Sequence, residues 1–277
     1  MKPAIMGAAL LLAGHTGHTI AGVPSKDVDV IATDYAFQIP RNLPPGATTF
    51  HFRNQGNHRH ELNIFLLRRG ATVKQVLDSQ RANKTTQGLV EASVGVLFAK
   101  KSKDSPSTLT TRLLPGRTYG VICIFRDSAD KPRHYDLGMY TQINISAGAA
   151  GTTLPPADTV IGVDYAYRQT QILKAGRHSF VFRNDGKHRH ELSITLLKPG
   201  VTLAKIMEVD KVDGDIEPLI EAGMGVLWAR PGEAPLGRLD VTLLPGREYL
   251  IDCGFQDDDK SPPHYKLGMY GSIQVTG

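Results

Sequence analysis

Residues 52–67 read FRNQGNHRHELNIFLL, and residues 182–197 read FRNDGKHRHELSITLL. The same offset of 130 residues carries the whole stretch from about Ile31 to Ile145 onto Ile161 to Val275 without a gap. LLPGRTYGVIC ending at Cys123 answers LLPGREYLIDC ending at Cys253, and HYDLGMY from His134 answers HYKLGMY from His264. Copies of about 120 residues are domain-sized rather than solenoid-sized, so the chain reads as a tandem of two folded units. The expected units are residues 28–147 and 158–277, joined by a short linker over 148–157 rich in Gly, Ala, Thr and Pro.

Inside each copy, short runs rich in β-branched and aromatic residues (TFHFRN, ELNIFLL, STLTTRLLPG, TYGVICIF, MYTQINI) are broken by Gly, Pro and Asn. That rhythm predicts an all-β sandwich. Apolar residues spaced by three to four predict one short helical insertion per copy, over Ala71–Gln80 and Val201–Asp210.

With 277 residues, 41% hydrophobic and 21% charged, the composition is that of a globular protein and rules out wholesale disorder. No run approaches the roughly 18–20 apolar residues of a membrane-spanning helix, so the body is expected not to be membrane-embedded. Two cysteines cannot build a disulfide framework. Lys2 followed by the apolar run Ala4–Ala13 has the order of a secretory leader, expected over residues 1–22, with a frayed amino terminus as the alternative. His15 and His18 are therefore set aside as ligands. Formal charge is +7 over residues 28–147 and −3 over 158–277, a dipole that could orient docking or help the halves pack. Neither copy has a basic stripe interleaved with aromatics, so nucleic acid is not expected as a partner.

Alternation along a strand decides which side chains face the core. His60 shares parity with Leu62, Ile64 and Leu66, and Cys123 shares it with Tyr119 and Val121; His190 and Cys253 repeat this in the second copy. An inward imidazole and an inward thiol are followed in sequence by His134 and Met139, or by His264 and Met269. Two imidazoles, a thiol and a thioether form a donor set that selects copper, and His₂Cys with an axial Met is the arrangement of blue-copper sites. The expected ligands are thus His60, Cys123, His134 and Met139, then His190, Cys253, His264 and Met269. A single inward Cys or Met is by itself ordinary core filling.

At these residues the chain resembles the cupredoxin family, the plastocyanin and pseudoazurin-like small copper proteins. FRNQGNHRHEL is similar to the family's strand that provides the first histidine, and CIFRDSADKPRHYDLGM to its Cys-His-Met loop. The resemblance implies two tandem Greek-key β-sandwich domains, each with one mononuclear copper at one end, in the periplasm or secreted. It also implies a redox or copper-exchange protein partner, reached through His134 and His264 as exposed edges. Two features depart from the family pattern. Ten residues separate Cys123 from His134 and Cys253 from His264 where the family has about two to four, and Glu61 and Glu191 stand where it commonly has a loop-tying asparagine.

Other residues get quieter readings. His58 and His188 are expected to face solvent, with support of the ligands from behind or auxiliary metal duty as the alternative. Arg59 and Arg189 are expected at the site mouth, attracting acidic partners or simply solvated. GLVEASVGVLFAK and LIEAGMGVLWAR suggest a tight backbone approach near a sheet edge at Gly95 and Gly225, and Trp228 is read as packing. Two rival functions remain. A two-domain copper oxidase or nitrite reductase would need further histidines and a histidine beside the cysteine, where Ile122, Ile124, Asp252 and Gly254 stand. A metal-free β-sandwich used as a binding or scaffold module would take up no copper.

Overall fold

The computed structural model describes residues 25–151, 154–168, 171–258 and 260–277. The expected leader, with His15 and His18, lies outside the described residues. The first half runs β1 (Lys26–Thr33), β2 (Ala36–Gln38), β3 (Asn42–Leu43), β4 (Gly46–Asn54), β5 (His60–Leu67), α1 (Val73–Arg81), β6 (Val90–Ala99), β7 (Asp104–Leu113), β8 (Thr118–Ile122) and β9 (Tyr140–Ile145). The second half repeats it as β10 (Asp158–Val163), β11 (Ala166–Tyr167), β12 (Gln171–Lys174), β13 (Gly176–Asn184), β14 (His190–Leu197), α2 (Leu203–Asp210), β15 (Ile220–Ala229), β16 (Gly237–Leu243), β17 (Glu248–Asp252) and β18 (Tyr270–Thr276).

Each half is a two-sheet sandwich. In the first, β2-β1-β4-β7 face β3-β9-β8-β5-β6, and the chain changes sheets between β4 and β5 and again between β6 and β7, the Greek-key path of a cupredoxin-like fold. β5 shows why: His60, Leu62, Ile64 and Leu66 point between the sheets, while Phe65 and Leu67 point outward under α1, against Val73, Val76 and Leu77. Both helices start two residues later than their periodicity suggests, because Thr72 and Thr202 are caps rather than helical residues. The Thr72 hydroxyl accepts the Gln75 N–H and Gln75 Oε1 accepts the Thr72 N–H, a capping box of about 1 kcal/mol.

The halves are not beads on a string. β7 pairs with β16 and β6 with β15, both antiparallel, so the two small sheets of each half fuse into one 8-stranded and one 10-stranded sheet. A single apolar core runs through both halves. The tight approach expected at a sheet edge at Gly95 and Gly225 is instead this junction, in the middle of the larger sheet. Gly225 sits at φ +143, and a Cβ there would lie 2.5 Å from the Val96 carbonyl oxygen and 2.7 Å from Leu239 Cδ1. Only glycine lets the strands of the two halves close. Trp228 packs as expected, against the Phe65 cluster of the first half.

Along β5-β6-β15-β14, His60 is level with Ala99 and His190 with Ala229, while Val96 faces Val226. The two histidines therefore lie at opposite ends of the fused sheet, about 20 Å apart along the strands and about 14 Å across them. The centres they belong to face opposite ways.

Candidate metal centres

The turn that delivers His60 is held by Asn54. Its buried side-chain amide donates to the His58 carbonyl at 2.7 Å and to the Ala99 carbonyl at 3.3 Å, and its oxygen accepts the Gly56 N–H at 2.8 Å. Asn184 repeats these bonds in the second half. Cys123 follows directly on β8, and Met139 directly precedes β9. The long loop between them is cinched at its base: His134 N–H donates to the Phe125 carbonyl at 2.8 Å, Tyr135 N–H to Cys123 at 3.0 Å, and Cys123 N–H to Met139 at 3.1 Å. The extra length of the Cys-to-His segment leaves as residues 126–133 and returns, so the donors converge despite it.

His60 Nδ1 lies 3.1 Å from His134 Nδ1, and Cys123 Sγ lies 3.4 Å from His134 Nδ1 and 3.9 Å from His60 Nδ1. The second half gives 3.0, 3.4 and 3.9 Å for His190, His264 and Cys253. All six side chains are buried, as are Met139 and Met269. Among the described residues these are the two groups of three or more His, Cys, Asp or Glu whose ligand atoms all lie within 4.8 Å of one another. His51 and His178 lie elsewhere, paired with Asp27 at 2.9 Å and Asp158 at 2.8 Å.

The far side of each imidazole decides what the pocket can hold. Asp257 Oδ1 is 3.1 Å from His264 Nε2, and Asp164 Oδ1 is 3.2 Å from His190 Nε2. Asp164 and Asp257 are held below the usual carboxylate range: burial alone would raise them, but their hydrogen bonds outweigh it. A carboxylate only accepts, so each Nε2 carries the proton and each Nδ1 presents a lone pair inward. The thiol proton can serve only one of two lone pairs 3.0 Å apart, and only weakly, whereas a cation in its place satisfies both nitrogens and the sulfur. Separations of 3.0–3.9 Å are those of donors sharing one ion at about 2.0–2.3 Å. Burial, and next the charge on His134, depresses His60 to about 4, so it is neutral and ready to ligate at neutral pH. Burial, and next the charge on Glu61, pushes the Cys123 thiol up to about 12, so the sulfur is inert until a metal displaces its proton. The donors fit copper, and Glu61 N–H, 3.4 Å from Cys123 Sγ, is placed to tune the thiolate.

Several expectations need correction. His134 and His264 are each only 1% exposed, so neither is an open imidazole edge. Tyr35 packs edge-on to His134 with ring centroids 5.1 Å apart, and Asp127 accepts from His134 Nε2 at 3.2 Å while bonding His58 Nδ1 at 2.9 Å. Tyr165, Asp257 and His188 build the same cap on His264. His58 and His188 are thus partly exposed members of a hydrogen-bonded lid rather than free surface groups. Arg59 and Arg189 are exposed but not simply solvated: Arg59 lies 4.5 Å over Phe125, and Arg189 lies 3.9 Å over Phe255 and 4.3 Å over Trp228. Glu61 and Glu191 do the tying expected of an asparagine, as Glu61 Oε1 accepts Ile124 N–H at 3.1 Å and Glu191 Oε1 accepts Gly254 N–H at 2.9 Å.

Sequence reasoning missed Asp127, Asp164 and Asp257, the two tyrosines, and Asp34, which accepts the Asn57 N–H at 2.6 Å and lies 3.7 Å from His60 Nε2. The available signal was their survival between copies, as DYAF against DYAY and FRD against FQD, where neighbouring residues differ.

No protein-family model matches the chain, and no curated protein matches it. Searches of solved structures align one half with an auracyanin of the photosynthetic bacterium Roseiflexus castenholzii, at 17% identity over 44% of this chain and 97% of that one, TM-score 0.31. Auracyanin A, a blue copper protein of Chloroflexus aurantiacus, aligns at 14% identity over 44% and 100%, TM-score 0.31. A copper nitrite reductase of Nitrosomonas europaea aligns at 14% identity over 92% and 94%, TM-score 0.25. The chain's own strand order and donor geometry carry the assignment: each half is a cupredoxin-like sandwich with a mononuclear, type 1 copper-like His₂-Cys-Met site at one end.

Proposed function

We propose that the protein is an exported electron carrier that exchanges electrons with a protein partner through two mononuclear copper centres. The observation that carries this reading is the pair of Nδ1 atoms 3.0–3.1 Å apart beside a buried sulfur in each half, with the outer nitrogens of His134, His190 and His264 hydrogen-bonded to carboxylates and that of His60 lying 3.7 Å from Asp34. Copper, when bound, supplies a one-electron couple between Cu(I) and Cu(II). The chain's part is to keep the donors still. Asp127 and Asp257 fix the second histidine, the Met139 and Met269 carbonyls take the cysteine N–H, and Glu61 and Glu191 pin the residue after each cysteine. Tyr35, Tyr165 and their neighbours exclude water from the rings. The leader-like first residues support export to the periplasm or beyond.

The test is addition of Cu(II) to the purified protein, watched for an intense visible thiolate-to-copper band, with Cys123→Ser, Cys253→Ser and the double variant alongside. Each single variant is expected to lose about half the band and the double variant all of it. A band unchanged in the double variant overturns the thiolate assignment. Stoichiometric metal without colour indicates copper storage or exchange instead, and turnover of nitrite or oxygen indicates an enzyme.

A further inference from the structure

The first half carries an open cleft of about 610 Å³ between the end of α1 and the Cys123-to-His134 loop. Its walls include Arg81, Lys84, Arg126 and Arg133, and its floor includes Ile124 and Tyr135, the residues next to Cys123 and His134. Arg81 is neutralised locally, 2.7 Å from Asp136 and 3.1 Å from Asp78. Among the described residues Lys84, Arg126 and Arg133 have no carboxylate within ion-pairing distance, so three cations face one opening unbalanced.

The duplication supplies an internal control. At the matching positions of the second half, Lys84, Arg126 and Arg133 become Gly214, Gln256 and Pro263, while Gln80 and Asn83 become Asp210 and Asp213. Asp136 becomes Lys266, which closes the space with ion pairs of 3.1 Å to both aspartates. The same fold therefore offers a cationic cleft beside one centre and a self-paired acidic corner beside the other. Folding does not require the cations, since the second half builds the same turn without them.

We infer that this cleft is where the acidic surface of a protein redox partner docks on the first half. The inference rests on the electron-carrier reading and names the partner's chemistry. Charge complementarity favours carboxylate side chains, and an open cleft that size admits an acidic chain segment. With Tyr35, His58 and Asp127 covering His134, the cleft brings a partner to the residues flanking two donors from another side. The second half does not share this partner.

The test uses the metal-free full chain and a fluorescein-labelled decaglutamate peptide, read by anisotropy at low ionic strength. Lys84→Gln with Arg126→Gln should weaken binding about tenfold, and the loss should fade as salt is raised. Lys266→Gln should leave binding unchanged. Arg133→Gln is kept as a separate variant, because Arg133 also donates to the Ile124 carbonyl at 2.9 Å. Equal binding by wild type and the Lys84/Arg126 variant overturns the proposal, as does displacement of the peptide by inorganic phosphate at equal concentration, which would mark a small-anion site. A second arm takes the copper-loaded Cys253→Ser chain, where the same two substitutions should slow oxidation by hexacyanoferrate(III) about tenfold while sparing reduction by hexaammineruthenium(II). If no blue centre forms, only this second arm is lost, and the peptide result still decides.

Discussion

Glu61 accepts the N–H of Ile124 at 3.1 Å across the two strands that deliver His60 and Cys123. It is buried, and burial pushes its carboxyl up to about 7 against the hydrogen bond from Ile124 that lowers it. The ordinary value is 4.5, so the folded state holds the proton more tightly than the unfolded chain. Stability from this group is full below pH 4.5 and is lost as pH rises through about 7, by about 3 kcal/mol at the upper end. Glu61→Gln keeps an acceptor for Ile124 and cannot ionise. In urea unfolding of metal-free protein, the variant should match wild type near pH 4.5 and exceed it in stability at pH 8.

Asp127 and Asp257 hold the proton on the outer nitrogen of His134 and His264. Asp127→Ala frees the ring to flip or to protonate Nδ1, and copper affinity at the first centre should fall about 10- to 100-fold. Chelator competition on the Cys253→Ser background measures it. Asp257→Ala on that background should leave the first centre's affinity unaltered.

Copper loading should release one proton per site from the thiol. Cys123 and Cys253 sit near 12 without metal, while His60 sits near 4 and has none to give at pH 7. Titration calorimetry in buffers of different ionisation enthalpy counts the protons, and affinity should rise about tenfold per pH unit above pH 8.

The junction predicts coupled unfolding of the two halves. Gly225→Ala sets a methyl against the Val96 carbonyl and Leu239, and should cost about 1–3 kcal/mol from crowding, with the unfavourable φ in addition. Thermal unfolding of wild type should be a single transition, and the variant should show an earlier one or two.

Much of the site was legible before any coordinates. Period-two alternation put His60 and Cys123 on inward faces with Leu62 and Val121, because a pleated strand leaves a side chain only two directions. The helices were legible apart from their first two residues, since a capping threonine carries the apolar spacing without adopting helical angles. The cap on His134 was not legible. Tyr35 and His134 are separated by nearly a hundred residues, and nothing local to either says that a ring will cover an imidazole.

By itself the sequence determined that there are two like units, that each is built of alternating strands, and that two imidazoles, a thiol and a thioether occur in one order in both. These follow from periodicity and repetition, which are properties of neighbours along a chain. Tertiary structure alone decided that the halves share both sheets, that the centres face opposite ends, and that carboxylates and tyrosines seal the outer histidines. It also decided that Lys266 closes the corner of the second half with ion pairs to Asp210 and Asp213 while the matching cleft of the first half stays open, because hydrogen bonds and ion pairs answer to distance in space.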